Sequence, residues 1–208
     1  MTVDPRTNYV YVVNTVSNDV SVIDGSNHTW IKQIPVGKGP SDIELFQHTG
    51  ALLVSNTRSN SVSVLSGSTL TKIKDISVGD DPGDIDIIQQ TGTIYVANKG
   101  SNDITVVNGS DYSIIATIPV GKEPDDMIFD SNTNIIYVSN SLSNSVSVIN
   151  GSDNSRITNI PVGKRPTDLN VDQHDSMIYV TNRDSNTVSV INGSSLTKVS
   201  DIPLHYKP

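Results

Sequence analysis

Apolar and polar residues alternate with period two along most of the chain, and the pattern restarts every 42 residues. In the last unit, Thr167 to Asp172, Met177 to Asn182, Thr187 to Ile191 and Leu196 to Leu204 are strand-type runs. They are rich in β-branched and aromatic residues, which suit a half-buried pleated surface. Polar turns separate them: Gln173 to Ser176, Arg183 to Asn186, and the Asn192-Gly193 dipeptide, a short-range hairpin signal. No segment carries apolar residues at helical spacing. Each unit therefore predicts four antiparallel strands, A to D. Four strands of about five or six residues with four short loops fill about 42 positions.

Asn-x-x-Ser-Asn begins at Asn14, Asn56, Asn98, Asn140 and Asn182, so the unit occurs five times. One such unit cannot bury both faces of its own sheet, and repetition supplies the missing neighbours. Four consecutive antiparallel strands per unit describe a propeller blade. A solenoid would need atypical capping units, whereas Asn14, Ser17, Asn18, Val22 and Gly25 of the first repeat match Asn182, Ser185, Asn186, Val190 and Gly193 of the last. The expectation is an all-β, five-bladed β-propeller forming one domain over 1–208. Its blades lie near 1–38, 39–80, 81–122, 123–164 and 165–208. Met1 aligns with Ile43 and Pro208 with Pro40, so only the counterparts of Ser41 and Asp42 are missing from a full circle. That near-completeness predicts a closed ring whose softest seam joins the first and fifth blades.

Positions identical in every repeat read as structural. Asn and Ser side chains bond nearby backbone groups in turns. Gly25, Gly67, Gly109, Gly151 and Gly193 are expected to supply positive φ in the C–D hairpin, and Gly37, Gly79, Gly121 and Gly163 the same between blades. Paired valines such as Val188 and Val190 should pack blade on blade.

Composition narrows the function classes. A net charge of −8, with 14 scattered basic residues, argues against a nucleic-acid surface. With no cysteine there is no disulfide and no thiolate metal site. The apolar stretches fall far short of the roughly 20 residues of a membrane helix, so no membrane insertion is expected. Met1 to Pro5 shows no apolar signal region.

Chemistry is sought first at Asp42, Asp84, Asp126 and Asp168, each two residues after a blade-linking proline at the start of strand A. Ring formation would bring these four carboxylates to the central channel, with Glu44, Asp80, Asp81, Asp86, Glu123 and Asp125 nearby. A carboxylate ring suits a hard cation such as Ca²⁺. Equally, each Asp can accept hydrogen bonds from the adjoining turn or the next blade. No other cofactor is expected. Repeats differ mainly in the D–A and B–C turns, expected on one face, where Lys38, Arg58, Asp80, Asp81, Lys99, Glu123, Arg165, Arg183 and Lys207 make a mosaic of both signs. Such a mosaic suits a protein or glycan contact. Asn27, Asn108, Asn150 and Asn192 fit the N-glycosylation acceptor pattern, although Asn-Gly is also plain hairpin chemistry. The four histidines lack metal-ligand spacing. Trp30, at the start of an outer strand, is either a sugar platform or a partly covered edge aromatic.

Tyr179-Val180-Thr181-Asn182 is the tetrapeptide of the YVTN β-propeller repeat family. Variants stand at Tyr11 to Asn14, Leu53 to Asn56, Tyr95 to Asn98 and Tyr137 to Asn140, and the chain resembles that family along essentially its whole length. The resemblance implies a cell-surface or secreted protein of archaea or bacteria, in a family whose propellers often have seven blades. With short, equal loops and no nucleophile motif, the chain reads as a monomeric, non-catalytic binding or structural module for a protein or glycan partner. The alternative is a lyase or glycoside-active propeller using Asp84, Asp126 and Asp168.

Overall fold

In the computed structural model, which describes residues 1–206 and 208, twenty strands form five four-stranded antiparallel sheets, with no α-helix among the described residues. Lys207, one of the variable turn positions, lies outside the described residues. Strands β1 to β4 are Thr2–Asp4, Tyr9–Asn14, Asp19–Asp24 and Thr29–Pro35. Strands β5 to β8 are Pro40–Phe46, Ala51–Asn56, Ser61–Ser66 and Thr71–Ser77. Strands β9 to β12 are Pro82–Ile88, Thr93–Asn98, Asp103–Asn108 and Ile114–Pro119. Strands β13 to β16 are Pro124–Asp130, Ile135–Asn140, Ser145–Asn150 and Arg156–Pro161, and β17 to β20 are Pro166–Asp172, Met177–Asn182, Thr187–Asn192 and Thr197–Pro203. Strands pair in chain order within every sheet, so each blade is contiguous.

Period-two alternation gives each blade two apolar faces. In the second blade, Leu52, Val54 and Leu65 pack back on Tyr11, Val20, Val22 and Ile34 of the first. Leu53, Val62, Val64 and Ile76 pack forward on Ile85, Ile87, Ile94 and Val96 of the third. A one-residue slip would exchange the two faces. Each buried Val or Leu contributes about 1.5–3 kcal/mol.

Polar residues clasp the same seams. The Gly37, Gly79, Gly121 and Gly163 N–H groups donate to the hydroxyls of Ser63, Thr105, Ser147 and Ser189 on strand C of the next blade, at 3.2–3.3 Å. One residue on, the N–H groups of Lys38, Asp80, Lys122 and Lys164 donate to Ser59, Ser101, Ser143 and Ser185. The side-chain carbonyl oxygens of Asn18, Asn60, Asn102 and Asn144 accept the N–H groups of Gly39, Asp81, Glu123 and Arg165, so the repeated Asn and Ser do hold backbone, at the linking turns as well as within their own.

The glycines act differently from the sequence expectation. None of the nine repeated glycines has positive φ. His28, Leu70, Tyr112, Asn154 and Leu196 carry it in the C–D turns, and Gly39, Asp81, Glu123 and Arg165 between blades. The repeated glycines are needed for space. A Cβ on Gly25 would lie 2.6 Å from the Asn8 carbonyl oxygen, and one on Gly121 2.4 Å from Ser143 Oγ. The Asn-Gly dipeptide accordingly opens a four-residue loop, in which Asn150 pairs with the residue after Asn154.

Closure also differs. Consecutive innermost strands pack together, but no comparable packing joins β1 to β17 among the described residues. Tyr11 and Tyr137 are 0% exposed against the following blade, whereas their equivalent Tyr179 is 40% exposed. Leu45 is 4% exposed against the preceding blade, whereas its equivalent Val3 is 47% exposed. The five blades form an open arc with a bare face at each end. The shared interblade geometry sets the curvature, and four such steps leave the first and last faces apart.

Gly121→Ala should lower stability by about 2 kcal/mol, because the new methyl group displaces the Ser143 and Asn140 side chains. Urea denaturation against the unsubstituted chain measures this; a change under about 0.5 kcal/mol would show that the seam yields freely.

Candidate functional site: inner carboxylates and the loop face

Strand A of the second to fifth blades enters the arc's inner edge through a bulge, where the register shifts next to the linking proline. The bulge re-aims the following aspartate toward the next blade. Asp42 Oδ2 accepts the Ile85 N–H at 3.1 Å, Asp84 Oδ2 the Met127 N–H at 2.9 Å, and Asp126 Oδ2 the Leu169 N–H at 2.7 Å. These aspartates tie each inner strand to its successor, 43 residues on. Asp168 has no following blade and is exposed.

The same placement gathers negative charge. Burial pushes Glu44 up from 4.5 to about 7, helped by the charges of Asp42 and Asp86. Burial likewise raises Asp126 from 3.8 to about 7, with Asp168 adding repulsion against the backbone bond that lowers it. Asp84 is raised well above its ordinary value by burial and by the charges of Asp126, Asp42 and Asp86, and Asp86 is raised by burial. The inner edge thus holds desolvated acids with raised pKa, Glu44 and Asp126 among them reaching about 7. Such acids could donate a proton or attract cations, but no group of three or more converges as a metal cage among the described residues. Asp80, Glu123 and Asp125 are engaged elsewhere, with Asn60, Ser141 and Lys99.

The D–A and B–C turns share one face. The Lys99 N–H donates to the Asp81 carbonyl at 2.9 Å and the Arg183 N–H to that of Arg165 at 3.0 Å. Lys38, Arg58, Asp80, Asp81, Arg165 and Arg183 are exposed there, and Lys99 is half-buried against Asp125. Between the fourth and fifth blades, Leu142, Asn144, Lys164, Arg165 and Asp184 line a shallow open cleft. The structure therefore separates two sequence candidates: the carboxylates line the inner edge and the mosaic lies on the loop face.

Asn27 is exposed, and its Oδ1 accepts both the Thr29 N–H and hydroxyl, at 3.0 and 2.6 Å. Asn108, Asn150 and Asn192 are half-buried and turn their Oδ1 onto the following serines. Trp30 is exposed on an outer strand. The tyrosines were not foreseen as seam residues: Tyr11 and Tyr137 donate to the Gly67 and Gly193 carbonyls at 3.4 Å, and Tyr95 to Asn154 Oδ1 at 2.7 Å. Their recurrence at this position in four of the five repeats, with Leu53 in the second, was the available signal.

A family model described as lactonase, 7-bladed beta-propeller, matches residues 1–113 and 122–198. Among curated proteins none matches the sequence. Virginiamycin B lyase from Staphylococcus aureus superposes with a TM-score of 0.80 at 15% identity, covering 98% of this chain and 69% of that one. The dihydro-heme d1 dehydrogenase NirN gives 0.82 at 16% identity, covering 100% of this chain and 46% of that one. Hydrazine synthase of Kuenenia stuttgartiensis gives 0.70 at 16% identity, covering 99% and 86%. The chain thus spans less than half of the NirN chain, and at these identities the likeness is one of fold.

The raised inner acids make stability pH-dependent. Between roughly pH 4 and 7 the unfolded chain releases protons that folded Glu44 and Asp126 retain, so stability is greatest at the acid end of this window and is lost as pH rises toward 7. Asp201, held low by its bond to Lys198, acts oppositely at lower pH. Denaturation midpoints from pH 4 to 8 test this, and Glu44→Gln should flatten the decline.

Proposed function

The chain belongs to the lactonase, 7-bladed beta-propeller family, and from that premise we propose that it is a non-catalytic binding or structural module of a cell-surface or secreted protein. In this reading its loop face meets a protein or glycan partner. One observation carries it: the polar residues that recur from blade to blade are engaged wherever two blades meet, while exposed charges that differ between blades stand on one loop face. A surface of both signs on a rigid sheet scaffold favours specific register over tight capture of one small ion. The cell-surface or secreted setting rests on the repeat resemblance. Calcium at the inner acids and glycans at Asn27, Asn108, Asn150 and Asn192 are secondary parts of the proposal.

A second reading is lactone, lyase or glycoside chemistry at the inner edge. It is favoured by the family and by Asp126, which holds its proton to about 7. A protonated carboxyl there can donate to a leaving oxygen while an ionised neighbour activates water. Asp84 and Asp168 would be the accompanying acids.

Two measurements separate these readings. On an array of neutral and acidic oligosaccharides, joint reversal of Lys164, Arg165 and Arg183 to Glu should weaken binding about tenfold, or 1.4 kcal/mol. Indifference to that change would sink the loop-face reading. Turnover in a panel of lactones and glycosides that Asp126→Asn abolishes would instead establish the enzyme.

A further inference from the structure

We propose that the outer cleft between the third and fourth blades is a docking groove for an extended peptide that carries an acidic residue beside a large apolar one. It lies on the outer strands, apart from the loop face and the inner acids, and is independent of what those bind. About 300 Å³ in volume, it is lined by Ala116, Thr117, Ile118 and Pro119 of β12 and by Asn154 and Arg156. That volume is at the low end for ligand pockets, roughly 300–1,000 Å³.

Strand β12 pairs with β11 alone, so alternate residues point backbone N–H and C=O groups outward. Its register is regular from Ala116 to Pro119, and the bulge lies before Ala116. The cleft thus runs along the straight part of a free edge, with which an added strand can pair.

Side chains set this cleft apart from its counterparts. Lys32 and Lys74 stand at the Ala116 position in the first two blades. Between the second and third blades, Lys74 Nζ lies 6.0 Å from the Tyr112 ring centroid and covers the equivalent space. Ala116 and Asn154 replace that pair between the third and fourth. The Tyr95 hydroxyl donates to Asn154 Oδ1 at 2.7 Å, which leaves Nδ2 to donate to a ligand. Ile118, 4% exposed, forms the floor.

Charge follows the same comparison. Lys72 and Lys198, at the Arg156 position of their blades, pair with Asp75 at 2.8 Å and Asp201 at 2.6 Å, three residues on. In the fourth blade that acid is replaced by Asn159, which accepts the Ser147 hydroxyl. Exposed Arg156 has no ion pair among the described residues. It stands opposite Ile149, a member of the core between the third and fourth blades, so its side chain shares the face toward the third blade. A pairing edge, a small apolar floor and an unneutralised guanidinium together fit a strand with one carboxylate next to one apolar side chain.

The test selects phage-displayed random heptapeptides against the full chain. Enriched peptides should carry Asp or Glu next to Leu, Ile, Val or Phe. By fluorescence anisotropy, synthetic copies should bind about tenfold more weakly to Ala116→Lys, and to Arg156→Lys with Asn159→Asp. Both variants copy other blades, Lys74 in one case and Lys198 with Asp201 in the other, so Tm should be kept. Amide exchange at residues 116–118 of the unsubstituted chain should slow when peptide is bound, a readout that needs no variant. Absence of acidic–apolar enrichment, undiminished affinity for either variant, or unchanged exchange at 116–118 overturns the proposal. So does a chain that sediments as a dimer and becomes monomeric with Ala116→Lys, which would make a second copy the occupant.

Discussion

Sheet-on-sheet packing between successive blades is the contact on which everything else rests. A four-stranded sheet with apolar side chains on both faces has no stable solution alone, and each blade here is sandwiched between neighbours or left half bare. The apolar contact is non-directional, so direction comes from its polar edge. Two backbone N–H groups of each linking turn reach hydroxyls of the next blade, and from the second blade onward an inner carboxylate takes a third. These bonds fix how far one sheet slides over the next, and repetition turns one local geometry into a curved array.

That economy governs where function can reside. A side chain present at every repeat is under the same demand at every seam. The asparagine amides show how far this goes: the Oδ1 atoms of Asn56, Asn98, Asn140 and Asn182 are buried and unpartnered, while their amide nitrogens are fully employed. The inner aspartates belong to the same class, since their first role is to hold the adjoining strand. Their desolvation is a by-product of that role, and it gives the inner edge its proton-retaining character.

Much of the fold was legible. Alternation and turn residues placed strands within a residue or two, as in Met177–Asn182, because register in a two-faced sheet is strongly specified. The shared loop face and the backbone-holding role of Asn and Ser were also legible, although the serines do so across the seams and not only within their own turns. The glycines were read for the wrong reason. Their recurrence reported a need for space at a close approach, which depends on atoms distant in the chain, such as Asn8 beneath Gly25. The carboxylates were found as a set, with a bond to the next blade as one of two readings, and Asp42, Asp84 and Asp126 make it; that Asp168 would stand exposed was not legible.

The sequence by itself determined the blade: four strands, their faces, their turns and the number of copies. These follow from period-two patterning and local turn chemistry, which act over a few residues. Only the tertiary structure decided whether the array closes, because closure depends on the angle accumulated over four interfaces and no single repeat encodes it. The same long-range geometry separated the buried inner acids, whose pKa burial raises, from the exposed loop charges, which lie only a few residues apart in each repeat.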